Sequence, residues 1–177
     1  MHSRVYGIYV LNNLEEILTD ITPLNENSYD YECIIQFADY VKEIDMETEG
    51  RTEFEDHLTR WFPNTSSIII NHTKAYKITQ KDLLNILDKE YQYFKTEVIA
   101  FNRNDFFDIA SAARNRLVES LQGEYGGIKY GILINEDSGF DYPENFLQTI
   151  RYLYKQTVKH KKQEIFVQFL GSLDYHY

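Results

Sequence analysis

The sequence predicts an α/β fold, in which helices cover a mostly parallel or mixed β-sheet. The first observation is a β-branched and aromatic run at residues 4–11, which is typical of a strand. The second is the order β-α-β-α-β from Glu97 onward, with helical segments long enough to cross a sheet. A strand that returns in the same direction needs such a covering helix, so this alternation favours parallel pairing.

The chain has 177 residues, enough for one self-sufficient hydrophobic core. Its apolar and charged fractions, 43% and 26%, are those of an ordinary globular protein. Aromatic residues make up 15% of the chain, a content that argues against intrinsic disorder. The sequence therefore predicts a single α/β domain over 1–177, with a candidate sub-boundary near 63–67.

Three helical segments follow the opening strand. Asn12 or Asn13 would cap a short helix that ends by Asp20. Apolar residues at every third or fourth position over 30–44 predict a second helix, and the same spacing over 52–62 predicts a third. The two longer segments would form an acidic helical pair, over about 30–62, that inserts into the sheet domain or caps it.

The remaining elements alternate between strands and helices. Three consecutive isoleucines within 66–71 predict a buried strand, and Thr79 would cap a helix over 80–94. Residues 97–101 have the composition of a strand, although the preceding helix would also extend through them. The later predictions are a helix over 105–122 capped by Asn104 with Phe106 and Ile109 inward, a strand over 128–135, a helix that Pro143 opens, and a strand over 164–170.

The net charge of the chain lies in its first third. Residues 1–60 contain 14 Asp and Glu and 4 Lys and Arg, a difference of −10, whereas residues 61–177 contain 14 of each sign. A region of one sign repels nucleic acid and attracts basic partners. No run of 18 apolar residues predicts a membrane span, and the single cysteine, Cys33, suits a reducing compartment. The sequence therefore predicts a cytoplasmic protein that binds neither membrane nor nucleic acid directly.

No pattern in the sequence predicts catalytic residues, a metal site or a cofactor. The five histidines are scattered, and none is spaced with Cys33 or with another histidine as zinc ligands are. The glycine-rich segment 126–131 precedes a predicted strand, whereas a phosphate-binding loop follows a strand and opens a helix.

One enzyme-like arrangement stays open as the alternative function. In a parallel sheet, ligands bind beyond the carboxyl ends of the strands. The loops expected there, 102–105 and 135–139, contain carboxylates that would hold Mg²⁺, with Asp174 after the last strand and Arg103 as a phosphate ligand. These residues would make the protein a small enzyme that depends on magnesium or on a nucleotide.

An acid-rich surface is the candidate functional site. Eight acidic residues lie between 39 and 56, against Lys42 and Arg51. Like charges at this density repel one another, which favours a binding role, although a solvated face that serves only solubility remains the alternative. Carboxylates would attract a cationic protein and tyrosines would anchor it. The predicted partner-binding residues are Tyr29, Tyr31, Asp39, Tyr40, Glu43, Asp45, Glu47, Glu49, Glu53, Glu55 and Asp56.

The predicted function is inhibition of a basic protein, such as a nuclease toxin or a nucleic-acid-binding effector. An immunity protein, an antitoxin and an anti-defence protein of bacterial or phage origin all fit this class of function. A homodimer is also compatible with the sequence, because lysines near the end of a later helix would contact the acidic third of a second copy. These lysines are Lys155, Lys159, Lys161 and Lys162.

Overall fold

The protein has a mixed α/β fold. The computed structural model describes residues 2–11, 13–16, 23–25, 40–122, 130–136, 139–140 and 146–176. The strands described are β1 (His2–Leu11), β2 (Tyr40–Ile44), β3 (Ser66–Ile70), β4 (Thr73–Thr79), β5 (Tyr130–Glu136), β6 (Gly139–Phe140) and β7 (Glu164–His176). The helices described are α1 (Glu49–Trp61), α2 (Gln80–Ala100), α3 (Arg103–Phe107), α4 (Ala112–Gln122) and α5 (Phe146–Lys159), with a short 3-10 helix at Leu14–Glu16.

The strands form one sheet in the order β3-β4-β7-β1-β5-β6, and β2 also pairs with β7. The last strand, β7, is antiparallel to β1 along one edge over residues 166–176. Its other edge pairs first with β4, at residues 164–168, and then with β2, at residues 172–176. Among the strand pairs described, only β1 with β5 is parallel. The sheet is mainly antiparallel, so the mostly parallel arrangement is not confirmed.

The strand predicted over 97–101 is part of a helix instead. α2 continues to Ala100, and the Phe101 amide donates a hydrogen bond to the Glu97 carbonyl at 3.0 Å. Extending an existing helix costs much less than starting one, so the β-branched Val98 and Ile99 continue α2. Without this strand, the β-α-β-α-β order that favoured parallel pairing is lost.

The first of the two predicted acidic helices is a strand where the structure describes it. Residues 40–44 form β2, whose backbone pairs with β7, and residues 30–39 lie outside the described part. Backbone hydrogen bonds to β7 make this segment a strand rather than a helix. Successive side chains of a strand point to opposite faces, so the half-buried Val41 and the buried Ile44 lie on different faces of the sheet. The second helix is confirmed as α1, but the acidic helical pair is not.

β3 is an exposed edge strand rather than the buried strand predicted over 66–71. Among the described strands it pairs only with β4, and Ile69 is 70% exposed. Asn71 and His72 join the two strands with φ angles of 48° and 65°, the left-handed backbone that a tight hairpin needs. The sequence pattern does not predict β4, because its two lysines interrupt the apolar run and its strand form depends on pairing with β7.

The helix predicted over 105–122 is two helices, α3 and α4. Asn102 rather than Asn104 caps the first of them: its side chain accepts hydrogen bonds from the Asn104 and Asp105 amides at 2.8 and 3.3 Å. In return, the Asp105 carboxylate accepts from the Asn102 amide at 3.1 Å, which completes a capping box. Two side chains expected in the core are exposed, Phe106 and Ile109.

One face of the sheet and three helices enclose the main hydrophobic core. α1, α5 and the first half of α2 all contribute apolar side chains to it. The ring of Phe54, on α1, stacks 4.8 Å from that of Phe169 and lies 5.5 Å from that of Tyr6. A smaller cluster contains Leu11 and Ala75, whose neighbours along β1 and β4 point into the main core. α1 is therefore held by packing on its inner side, and its outward flanks are available to solvent.

Candidate functional site

The candidate site is built around α1, the helix that carries most of the predicted acids. Its buried side chains include Phe54, Leu58 and Trp61, which fix the rotation of the helix against the sheet. Side chains three and four positions apart share a helix face, so the remaining positions divide into two flanks. Glu49 and Glu53 lie on one flank and meet β1, whereas the other flank meets β4.

On the first flank, three carboxylates surround one guanidinium. Arg4 Nε lies 2.9 Å from a Glu53 oxygen, Arg4 Nη1 lies 3.1 Å from an Asp174 oxygen, and Arg4 Nη2 lies 3.5 Å from a Glu49 oxygen. Burial lowers the pKa of Arg4, but the charges of Glu53 and Asp174 outweigh it and raise that pKa above the usual value. We call these four residues the Arg4 cluster; its charges sum to −2, from one positive and three negative groups.

On the second flank, the carboxylate of Glu55 is bound by one lysine and one tyrosine hydroxyl. Glu55 accepts hydrogen bonds from Lys74 Nζ and from the Tyr76 hydroxyl, both at 2.6 Å. Burial raises the pKa of Glu55, but these two hydrogen bonds outweigh it and hold the pKa below its usual range. Burial, together with the adjacent Glu55 carboxylate, raises the pKa of Tyr76. Glu55 is thus held within the fold and is a poor ligand for a partner.

The turn between β2 and α1 presents further carboxylates. The Asp45 carboxylate accepts from the Thr48 amide at 2.8 Å and from the Thr48 hydroxyl at 2.7 Å. These hydrogen bonds lower the pKa of Asp45, so it stays ionised and holds the turn. Glu47 lies 3.7 Å from Arg51, one helical turn later, and is still 73% exposed. The turn therefore displays exposed acids just before Glu49 of the Arg4 cluster in the sequence.

The structure brings together only part of the predicted partner-binding set. Glu43, Asp45, Glu47 and Glu49 are exposed on β2, the turn and the start of α1, and Asp56 is exposed farther along α1. Tyr40 is the first residue of β2, where it is paired with His176. Three predicted residues lie outside the described part of the chain: Tyr29, Tyr31 and Asp39.

Arg4 joins these acids, although the charge pattern of the sequence does not single it out. Arg4 shares the face of β1 that carries Tyr6 and Ile8, both buried in the core. A charged residue in that alternation is a signal that a carboxylate lies opposite. Asp174, assigned from sequence to a loop beyond the last strand, is paired with Arg4 inside the sheet instead.

The loops of the enzyme alternative do not take the positions expected of them. Residues 102–105 form the capping box at the start of α3, next to the end of α2 and not at the end of a strand. Asn135 and Glu136 pair with β6, and residues 137–138 are outside the described part. Among the described residues there is no group of three acidic, histidine or cysteine side chains that could hold a metal ion.

A cleft of about 340 Å³ lies where β4 and β2 separate along β7. Arg51, His72 and Lys74 line it, above Phe169 and Leu170 of β7. Its lysine is bound to Glu55 at 2.6 Å, and its arginine lies 3.7 Å from Glu47. The cations are therefore balanced by acids, and we assign no charged ligand to this cleft.

Comparison with protein-family models, with curated proteins and with solved structures found no match to this chain. Among the helices that the structure describes, none combines the length and the apolar character needed to cross a membrane. The function is therefore inferred from the charges and surfaces of the molecule itself.

Proposed function

We propose that the protein binds a basic protein partner through an acidic face made of the Arg4 cluster and the exposed acids of the turn before α1, Asp45 and Glu47. Glu43 is not part of this face, because it pairs with Leu173, on the opposite side of the sheet from the Arg4–Asp174 pair. The observation that carries the proposal is the excess of carboxylate over cation at Arg4, where one guanidinium meets three acids. One arginine cannot neutralise three carboxylates, and when Lys42, the cross-strand neighbour of Asp174, is counted with it, one negative charge is still in excess. The excess is what a lysine or arginine from a partner would bind.

Within this face, Glu49 is the group best placed to exchange partners. Its carboxylate is 66% exposed and lies 3.5 Å from Arg4, a longer separation than those of Glu53 and Asp174. An exposed ion pair at this distance contributes little to folding, so releasing it to a partner costs little. Glu53 and Asp174, in contrast, stay on Arg4 and keep the local potential negative.

The whole-chain charge of −10 supports the same partner class. A one-signed potential speeds the association of a cationic protein and disfavours nucleic acid. Proteins that bind nucleic acid are themselves basic, which makes nuclease toxins and nucleic-acid-binding effectors suitable partners. We therefore propose the role of an inhibitor of such a protein, as an immunity protein, antitoxin or anti-defence protein.

The test is capture of a partner, followed by measurement of its affinity. The immobilised protein is incubated with cell lysate at about 50 mM salt, and a captured protein is identified, prepared separately and titrated by calorimetry. The variant replaces two exposed acids of the face: Glu47→Gln and Glu49→Gln. We expect the captured partner to be basic and to bind the variant with at least about tenfold lower affinity. The affinity of the wild type should fall by a similar factor at about 500 mM salt.

The matched control removes the same charge elsewhere, through Asp88→Asn and Glu164→Gln, both exposed positions. Binding that weakens as much in the control as in the variant would show that only overall charge matters. Capture of an acidic protein, or an affinity unaffected by both salt and the variant, would contradict the proposal. Thermal unfolding of each variant confirms that the fold is retained.

A further inference from the structure

The end of α2 projects from the core as a helical arm, which we define as residues 91–117. The buried residues of α2 end at Glu90, and α3 has none. The arm is held together by its own contacts: Arg116 Nε lies 3.1 Å from a Glu97 oxygen, and the Ser111 hydroxyl donates to Asp105 at 2.8 Å. It is thus an ordered projection, with little of its surface used by the rest of the described fold.

Large apolar side chains are exposed on this arm. Ile109 is 79% exposed, Ile99 75%, Phe107 68% and Phe106 65%, and the partly exposed Val98 lies beside Ile99. Isolated apolar residues are normal on a protein surface, but a group of large ones on one projection indicates an interaction surface. These five side chains would lose on the order of several hundred Å² of apolar area to a partner.

We infer that this arm is the interface through which two copies of the chain form a symmetric dimer. The inference stands independently of the proposed function, since it uses none of the residues of the acidic face. The distribution of charge favours contact between two copies at the arm. The molecule carries −10 overall, whereas the arm contains four Lys and Arg and three Asp and Glu. Two like-charged copies approach with least repulsion where their surfaces are close to neutral.

The composition of the arm also favours contact with a second copy. Arg103 lies over the Phe107 ring at 5.6 Å, and Asp105 and Asp108 are close in sequence to both. In a two-fold contact every residue meets the same surface of its partner, so a patch with both signs of charge can pair with itself. The area is also suitable, because a standard interface buries about 800 Å² per partner and the apolar group would form its centre.

A lipid surface or a basic protein fits the arm less well. Anionic headgroups are bound by clusters of basic residues, whereas the Lys and Arg of the arm exceed its Asp and Glu by only one. A basic partner would gain nothing from a surface whose charges sum to +1. A second copy is the occupant that both the charge and the area of the arm favour.

The experiment is sedimentation velocity on the purified full chain, from about 1 to 100 µM, the range in which such an interface dissociates. We expect the wild type to shift from monomer to dimer and the double variant Ile99→Glu, Phe107→Glu to remain monomeric. Both positions are exposed, so the thermal unfolding of the variant should match that of the wild type. The control is Ile69→Glu, at a position 70% exposed on the edge strand β3, and it should still dimerise.

A wild type that is monomeric throughout this range would overturn the inference. So would a dimer that survives in the double variant, or one that Ile69→Glu abolishes, since that result would place the contact at the β3 edge. Flotation with vesicles that contain anionic lipid tests whether the arm binds a membrane surface instead. Wild-type binding to vesicles, lost in the double variant, would replace the dimer by a lipid-binding role.

Discussion

At the scale of single residues, the most unusual group in the core is His57 of α1. Its ring is buried, stacks 5.3 Å from Trp61, and has Nδ1 2.7 Å from the Tyr6 hydroxyl. Burial lowers the pKa of His57 below its usual value, and the nearby Glu53 carboxylate opposes this only in part. The neutral ring is therefore the form that the folded protein prefers.

The pH dependence of stability follows from that preference. The unfolded chain takes up a proton on His57 near pH 6.5, before the folded protein does, so lowering the pH favours unfolding. We expect the free energy of unfolding to fall as the pH decreases from about 7 to about 5. The loss should stop once the pH is below the lowered pKa of the folded state.

Comparison with His57→Gln isolates this contribution. Both proteins are unfolded with denaturant at a series of pH values, and the difference in unfolding free energy is plotted against pH. Contributions from other titrating groups cancel in the difference. The wild type should lose its advantage over the variant through this range, and a difference that is constant with pH would show that His57 does not titrate as inferred.

Glu90 of α2 is a second ionisable residue with a buried side chain. Burial raises the pKa of Glu90, and the charge of Arg151 offsets this in part. One of its carboxylate oxygens is buried with no hydrogen-bond partner in the described structure. We expect Glu90→Gln, which keeps the shape and removes the charge, to stabilise the protein by about 1 kcal/mol at pH 7.

The size of this stabilisation depends on whether wild-type Glu90 is charged. Because its folded pKa is raised, wild-type Glu90 costs stability while it is ionised and regains that stability as the pH falls through the folded pKa. The advantage of Glu90→Gln in denaturant unfolding should therefore shrink towards about pH 4. A variant less stable than the wild type at pH 7 would contradict the account. Glu97→Gln would serve as a comparison on the same helix.

At the scale of elements, β7 depends on an irregularity in its middle. The pairing of β1 with β7 shifts register between Gly7 and Ile8, so Leu170 is an extra residue on β7. Gly171 has a φ of +125°, and the Leu24 amide donates to the Leu170 carbonyl at 2.7 Å. The bulge lies between the stretch of β7 that pairs with β4 and the stretch that pairs with β2.

Gly171→Ala should therefore be strongly destabilising. A Cβ at this position would lie 2.8 Å from the Leu24 carbonyl oxygen, a backbone atom that cannot easily move, and the positive φ is unfavourable for alanine. We expect a loss of about 2–3 kcal/mol in unfolding free energy, measured by denaturant unfolding. Ser67→Ala, on the exposed strand β3, should change it by less than about 0.5 kcal/mol. Equal effects at both positions would contradict this reading of the bulge.

α2 shows how one element serves two purposes. Its first half buries Leu83 and Ile86 against the core, and Thr79 caps it by accepting from the Asp82 amide at 3.1 Å, as the sequence predicts. Its second half leaves the core and carries the arm. Tyr91 follows Leu83 and Leu87 at helical spacing but is 58% exposed, because the apolar spacing continues beyond the region that the sheet can cover. The spacing of apolar residues predicts where a helix lies, but it does not predict how much of that helix the sheet covers.

At the scale of the whole molecule, the two candidate interaction surfaces differ in chemistry. The acidic face combines carboxylates from β7 and α1 around Arg4 of β1, whereas the arm displays apolar side chains with nearly balanced charge. A surface rich in one sign suits a partner of the other sign, and a neutral apolar surface suits a copy of itself. A dimer joined at the arms would leave both acidic faces open to partners.

Local patterning in the sequence determined the positions of many elements and the charge imbalance. β1, α1, the start of α2, β5 and the greater part of α5 lie where composition and spacing predict them, because each depends on neighbours within a few residues. The concentration of acid in residues 1–60 is likewise a property of the sequence alone.

Tertiary structure decided strand direction, exposure and the residues that share a site. β7 runs antiparallel to β1, residues 40–44 join the sheet, and Arg4 meets acids 45, 49 and 170 positions away in the chain. Each of these depends on hydrogen bonds and charges between distant segments, for which periodicity along the chain has no signal. The side chains of the arm follow the same rule, because their exposure depends on where the rest of the fold stops covering them.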